Sequence, residues 1–181
     1  MYKLKKSSFT VRDIKKNCEK NHQSMIYMHS LNPKIIHRGL KSANVLLDED
    51  MQAKITDFGV SRETNDATMT AGIGTYRWMA PEVLMGKYYS ESADIFSLGA
   101  ILSELDTHNI PYEGLVNSNG NPLIDTAILA QVMNGKLLPS FTDTCPQAIV
   151  DLATACFAFN SEERPRAFEV SYRLHTALKT I

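Results

Sequence analysis

Hydrophobic positions recur at helical spacing along most of the second half of the chain. From Ser92 to Leu105, apolar side chains fall three or four positions apart with further apolar neighbours, which predicts a largely buried helix. The same spacing predicts three more helices before the C-terminus, with Gly135 as the cap of the first. These helices are expected over Leu123–Asn134, Pro146–Phe159 and Arg166–Lys179.

The first half of the chain shows a different pattern. Two short strand-like runs, "NVLLD" at 44–48 and "AKITD" at 53–57, are separated by the acidic turn "DEDMQ", which predicts a small β-hairpin. Residues 10–30 predict a helix whose apolar face is convincing only in its second half. The polar stretch Gly59–Tyr76 has neither periodicity and predicts a long irregular loop. The expected fold is therefore mostly α, with one hairpin and one long loop.

Composition places the chain among soluble globular proteins. Its 181 residues are 44% hydrophobic and 22% charged, which suits one domain with a real core. The net charge of -1 argues against a nucleic-acid partner, and no apolar run is long enough for a membrane span. With no signal peptide pattern, an intracellular, cytoplasmic location is expected. The three cysteines lack the spacing of a disulfide framework or a zinc site.

Charge is unevenly distributed. The first 20 residues carry seven basic and two acidic side chains, a net charge of +5, whereas the remainder carries -6. Such a segment can contact anionic lipid or a partner, but a solvated helix face is the simpler interpretation. No function is assigned to it.

Four short motifs occur in a fixed order: "HRGLKSAN" at 37–44, "DFG" at 57–59, "GTYRWMAPE" at 74–82 and "DIFSLG" at 94–99. Together they resemble the C-terminal lobe of a eukaryotic protein kinase, which has H-R-D-L-x-x-x-N, D-F-G and A-P-E in this order. "YMHS", "GTYRWMAPE" and the pair Arg164-Pro165 are most similar to the tyrosine-kinase-like group of Ser/Thr kinases. The resemblance implies a single partial kinase-like domain over residues 1–181, with an activation segment at 57–82. It also implies a relation to ATP-dependent phosphorylation of protein Ser/Thr in signal transduction.

Three side chains suit the phosphate and metal side of phosphoryl transfer. The hairpin should bring the Asn44 amide and the Asp57 carboxylate together, and such oxygen ligands suit Mg²⁺. Lys41 can reach the γ-phosphate of ATP as a point charge. An isolated Asn and Asp beside a hairpin would more often cap turns, but in the company of the other motifs we favour the metal-binding interpretation.

Gly39 stands where the resemblance places the catalytic Asp, between Arg38 and Lys41. Glycine has no side chain to orient a substrate hydroxyl or accept its proton, and a general base typically contributes about 10²- to 10⁴-fold. Glycine adopts any backbone conformation that the loop requires. Folding is therefore expected to survive where efficient catalysis does not.

The segment before His37 contains no glycine, and hence no G-x-G-x-x-G loop, and it shows no V-A-I-K strand. The resemblance implies that the N-terminal lobe, one wall of the nucleotide cleft, is absent from this chain. Binding of ATP by this chain alone is expected to be weak. Restoring Asp at position 39 without such a lobe is not expected to give efficient activity.

Other motif residues have regulatory or architectural roles in what the resemblance implies. Thr68 or Thr70, once phosphorylated, could dock on Arg38 and order the loop. Thr75 together with Lys41 goes with Ser/Thr rather than Tyr substrates. Asp94 is similar to the aspartate that accepts backbone hydrogen bonds from the catalytic loop, and Glu82 and Arg164 are similar to a buried ion pair.

The sequence leaves three hypotheses open, and whether the chain is an enzyme is undecided among them. The first is a pseudokinase-type module that binds or regulates a protein partner. The second is an incomplete or miscopied sequence of an active ATP/Mg-dependent Ser/Thr kinase, which would act on a protein substrate. The third is a fragment that folds poorly alone, because the polar stretch at 15–24 occupies the place of a core helix.

Overall fold

The computed structural model of the chain describes residues 2–3, 24–47, 53–57 and 75–179. Helices dominate this part of the chain, which confirms the expected mostly α architecture. The first helix, α1, covers residues 24–30. The others are α2 (Pro81–Leu84), α3 (Ser92–Thr107), α4 (Asp125–Met133), α5 (Gln147–Cys156) and α6 (Ala167–Lys179), with short 3-10 helices at Ser42–Asn44, Thr75–Trp78 and Ser161–Glu163.

A small antiparallel sheet precedes the long helices. Strands β2 (Val45–Leu47) and β3 (Ala53–Ile55) pair with Val45 opposite Ile55, which is the predicted hairpin. Its turn lies outside the described residues. A third strand, β1 (Tyr2–Lys3), adds to the other edge of β2 with Lys3 opposite Leu46. The sequence pattern missed β1 because two residues are too few to show alternation.

Helix α3 is the centre of the hydrophobic core. Both Phe96 and Ala100 are fully buried, and the Phe96 ring meets the Phe157 ring edge-on with centroids 5.2 Å apart. Helix α5 packs on α3, and α6, whose Val170 and Leu174 are buried, packs on α5. Helix α4 packs instead on α2.

The ends of the long helices differ from the predictions by at most three residues, and the start of α3 and the end of α6 coincide with them. Helix α3 continues past Leu105 and stops at His108, which adopts a left-handed φ of 57° and donates its backbone N–H to the Glu104 carbonyl. Helix α4 is capped by Asn134, and Gly135 follows with a φ of 66°. Glycine suits this position because a left-handed φ costs it little. The four-residue helix α2 was not predicted, since one turn shows no periodicity.

Some predictions fall only partly on the described residues. Helix α1 confirms the second half of the helix expected over 10–30, with Met25 and Met28 buried; residues 10–23 lie outside the described part.

Burial raises the pKa of the Cys156 thiol to about 12, and burial together with the Asp106 carboxylate does the same for Cys145. None of the helices in the described segments is long and apolar enough to span a bilayer.

Gly99 allows the close contact between α3 and α5. A Cβ atom on Gly99 would stand 2.8 Å from Phe157 Cε1 and 3.1 Å from the Cys156 Cβ atom. We expect Gly99→Ala to lower the free energy of unfolding by about 1–3 kcal/mol, because overpacking outweighs the better helix propensity of alanine. Urea denaturation measures the change. Gly39→Ala is the control, since a Cβ there meets nothing within 4 Å; equal losses in the two variants would contradict this account.

Candidate functional site

The loop Ile35–Asn44 connects α1 to β2 and is fixed at its start by Asp94. The Asp94 carboxylate accepts the backbone N–H of His37 at 2.8 Å and that of Arg38 at 2.9 Å. Asp94 lies in the first turn of α3 and is only 1% exposed. Hydrogen bonds from backbone donors to a buried carboxylate are among the stronger ones in proteins. The loop is thus attached to the most buried helix of the fold.

Two histidines extend this attachment to α1 and to the sheet. His29 Nε2 lies 3.0 Å from Asp94 Oδ2, and His37 Nε2 lies 2.9 Å from the carbonyl oxygen of Thr56. Thr56 directly precedes Asp57. His29 was expected to be an ordinary structural residue, and its contact with Asp94 was not predicted, because a partner 65 positions away leaves no local signal.

Gly39 lies at the centre of the loop with open space around it. Its carbonyl oxygen accepts a hydrogen bond from Asn44 Nδ2 at 2.9 Å. Among the residues that the structure describes, a Cβ atom built on Gly39 meets no heavy atom within 4 Å, and the φ of Gly39 lies outside the left-handed region. A side chain at this position therefore meets no steric obstacle at its first atom.

The Asn44 and Asp57 side chains belong to the same end of the hairpin. The Asn44 carbonyl accepts the Thr56 backbone N–H at 2.8 Å and the Thr56 hydroxyl at 3.1 Å. Asp57 follows with an exposed carboxylate and a left-handed φ of 65°. Because Asn44 Nδ2 is already engaged by Gly39, the amide offers its oxygen to a ligand. An amide oxygen and a carboxylate suit a hard cation such as Mg²⁺.

The segment Thr75–Trp78 borders the other side of the loop. Lys41 Nζ donates to Thr75 Oγ1 at 3.0 Å. The Glu104 carboxylate accepts the Ser42 hydroxyl at 2.8 Å and the Trp78 indole N–H at 3.0 Å. Glu104 was not predicted as part of the site, because an acidic residue near the end of a long helix is common.

Comparison with known proteins agrees with the motifs. The family model of the protein kinase domain matches residues 1–173. This chain belongs to the protein kinase family. The predicted C-terminal-lobe fold and the likeness to the tyrosine-kinase-like group of Ser/Thr kinases are thereby confirmed.

Several protein kinases are similar to this chain over most of its length. Serine/threonine-protein kinase STY46 of Arabidopsis thaliana is 39% identical over 160 residues, which cover 88% of this chain and 26% of that protein. STY17 of the same plant is 36% identical over 177 residues, 97% of this chain and 29% of that protein. Human mitogen-activated protein kinase kinase kinase 11 is 38% identical over 154 residues, 79% of this chain and 17% of that protein. The chain thus spans less than a third of these relatives.

Arg38 of this kinase-like loop has an aromatic partner that was not predicted. Its Nη1 donates to the Tyr89 hydroxyl, and its guanidinium carbon lies 5.7 Å from the Tyr89 ring centroid. Arg38 adopts a left-handed φ of 64°. Thr68 and Thr70 lie outside the described residues, so their docking on Arg38 stays a prediction.

Glu82 of the kinase A-P-E segment and Arg164 form a bidentate ion pair. Arg164 Nη1 and Nη2 lie 2.6 Å and 2.8 Å from the two carboxylate oxygens of Glu82. Arg164 also donates to the carbonyls of Ser92 and Ala158, and it lies over the Phe96 ring. One side chain thereby joins α2, α3 and the turn before α6.

Proposed function

We propose that this chain is a pseudokinase-type module of the Ser/Thr protein kinase group, which works by binding or regulating a protein partner inside the cell. The observation that carries the proposal is Gly39. The loop around it is held by Asp94 and Asn44, yet the position of the base has no side chain. Signal transduction is the setting in which a binding module of this family would act.

A missing base affects the rate of transfer more than the shape of the loop. The Gly39 carbonyl is bonded to Asn44, and a carbonyl oxygen is too weakly basic to accept a proton from a hydroxyl. Loss of a general base typically costs about 10²- to 10⁴-fold. The phosphate and metal side of the site needs no side chain at position 39, because Asn44 is bonded to the backbone carbonyl of Gly39.

Asn44, Asp57 and Lys41 are the residues proposed to hold Mg²⁺ and ATP. The oxygen ligands of Asn44 and Asp57 fit Mg²⁺, and Lys41 supplies a positive charge for a phosphate. When bound, Mg²⁺ neutralises the phosphate oxygens of ATP. The residues of this chain would orient the nucleotide without completing proton transfer.

An active ATP/Mg-dependent Ser/Thr kinase that carries Gly39 as a variant or a sequence error is the second candidate. Two observations favour it: the space at Gly39 and the bond between Lys41 and Thr75, the pair that goes with Ser/Thr substrates in the family. In this case Thr68 or Thr70 would be phosphorylated and would share Arg38 with Tyr89.

Labelling of a generic protein substrate from γ-labelled ATP tests the binding-module candidate directly. For a binding module, Mg²⁺-dependent labelling by the purified protein should equal that of its Asp57→Ala variant. Asp57 is exposed, so this variant removes a metal ligand without opening the core. Labelling by the unaltered protein that disappears in Asp57→Ala would rule out the module.

Gly39→Asp should be tolerated by the fold. Its Cβ meets no neighbour and its φ is not left-handed, and replacing glycine reduces the entropy of the unfolded chain. We expect the free energy of unfolding to change by less than about 1 kcal/mol, as measured by urea denaturation. A loss of several kcal/mol would show that the loop requires glycine, and efficient transfer by this variant would favour the active-kinase candidate.

A further inference from the structure

Both oxygens of the Glu104 carboxylate are used to join two segments that are far apart in sequence. Oε1 accepts the Ser42 hydroxyl at 2.8 Å, and Oε2 accepts the Trp78 indole N–H at 3.0 Å. Ser42 begins the 3-10 helix that ends the loop, and Trp78 ends the 3-10 helix Thr75–Trp78. One side chain of α3 therefore spans the gap between the two segments.

A second side-chain hydrogen bond also joins the two segments. Lys41, which directly precedes Ser42, donates its Nζ at 3.0 Å to Oγ1 of Thr75, the first residue of the other segment. On the α3 side, Ser97 donates its hydroxyl to the Trp78 carbonyl at 2.8 Å. Two residues of α3 therefore hold Trp78: Ser97 bonds its carbonyl and Glu104 bonds its indole N–H. Ser42 is held by Glu104 alone of these two.

We propose that Glu104 is a positioning residue that fixes the loop of Lys41 and Gly39 against the segment of Thr75 and Trp78. This inference goes beyond the proposed function, because it applies whether the site transfers phosphate or only binds a partner. A carboxylate suits the task, since it accepts two hydrogen bonds and donates none. Its charge also strengthens both bonds relative to a neutral acceptor.

Replacement by glutamine is the sharpest change at this position. Glutamine keeps the size of the side chain but has one acceptor oxygen, and its NH₂ group would face a second donor. The Ser42 hydroxyl can keep a bond only by rotating to accept from this NH₂ group, and both contacts lose the charge of the carboxylate, which weakens them. The two segments that carry Lys41 and Thr75 would then be held together less strongly.

The only tryptophan in the chain supplies a direct signal. A ¹H–¹⁵N NMR spectrum of the full 181-residue chain contains one indole N–H peak, which belongs to Trp78. In Glu104→Gln, we expect this peak to move upfield and its proton exchange to accelerate at least about tenfold. The backbone amides of Asn44 and Met79, bonded to Lys41 and Tyr76 at 3.0 Å and 3.1 Å, should lose protection together.

Ser42→Ala tests the connection without touching Glu104 or the indole. If Glu104 joins the segments, removing the Ser42 hydroxyl removes one hydrogen bond from its carboxylate, and the Trp78 indole peak should move in this variant too. Ser103→Ala is the matched control. Ser103 precedes Glu104 in α3 and donates its hydroxyl to the Ser140 carbonyl at 2.6 Å, so this variant should leave the indole peak in place.

Two results would overturn the proposal. One is an indole peak that stays unchanged in Ser42→Ala, which would show that Glu104 serves Trp78 alone. The other is a peak that moves equally in Ser42→Ala and Ser103→Ala, which would reveal general loosening of the fold. Because Ser42→Ala removes a single half-buried hydroxyl, it decides the question even if Glu104→Gln fails to fold.

Discussion

Arg164→Ala should lower the free energy of unfolding by about 3–5 kcal/mol, because it leaves the Glu82 carboxylate buried without its partner. The side chain of Arg164 is 0% exposed and that of Glu82 is 12% exposed. The substitution also removes the donors to Ser92 and Ala158 and the cation over the Phe96 ring. Chemical denaturation followed by circular dichroism measures the loss.

Two comparisons make this expectation specific. Lys34→Ala breaks an ion pair with Glu91 in which Lys34 is 51% exposed, so the cost should be below about 1 kcal/mol. The double variant Glu82→Leu, Arg164→Met removes both charges at once and should be less destabilised than Arg164→Ala. A loss in Arg164→Ala as small as that in Lys34→Ala would show that the buried pair contributes little.

Asp94→Ala is expected to cost about 3 kcal/mol or more. It leaves the backbone N–H groups of His37 and Arg38 without their acceptor, and each buried unsatisfied donor costs about 1–3 kcal/mol. The left-handed conformation of Arg38 would also lose the bond that holds it. Denaturation gives the total loss, and hydrogen exchange at these two amides shows whether it begins in the loop.

Asp151→Ala is the control for the loss of an aspartate. Asp151 lies on the exposed face of α5 and accepts a hydrogen bond from Gln147, so its removal should change stability by less than about 0.5 kcal/mol. Asp94→Asn retains one acceptor oxygen, so its loss of stability should lie between those of Asp94→Ala and Asp151→Ala. Unaltered exchange at His37 and Arg38 in Asp94→Ala would contradict the proposed anchoring of the loop.

The long helices were predictable because each has a buried face that repeats at the helical period. Helix α3 shows this best: the predicted Ser92–Leu105 becomes Ser92–Thr107, two residues longer. The helix ends where His108 adopts a left-handed φ. A pattern of apolar residues does not predict such a cap. The short elements α2 and β1 were missed for a related reason, since a single turn or a two-residue strand has no period.

For the candidate site, the sequence predicted residues but not the contacts between them. Motif order predicted Lys41, Asn44, Asp57 and Asp94 as residues of the candidate site, and the hairpin predicted that Asn44 and Asp57 lie close together; both remain predictions. The contacts of His29, Tyr89 and Glu104 were not predictable. Each joins residues between 26 and 65 positions apart, and such contacts depend on how the helices pack.

The sequence by itself determined the family, the helical architecture and the absence of a side chain at Gly39, because these follow from local patterns and from residue identity. Only the tertiary structure decided what holds the Gly39 loop. Helix α3 brings Asp94 to one end of the loop and Glu104 to the other, and its burial fixes both. The reason is physical, because these side chains meet their partners only when distant segments pack together. Local periodicity in the sequence does not predict that packing.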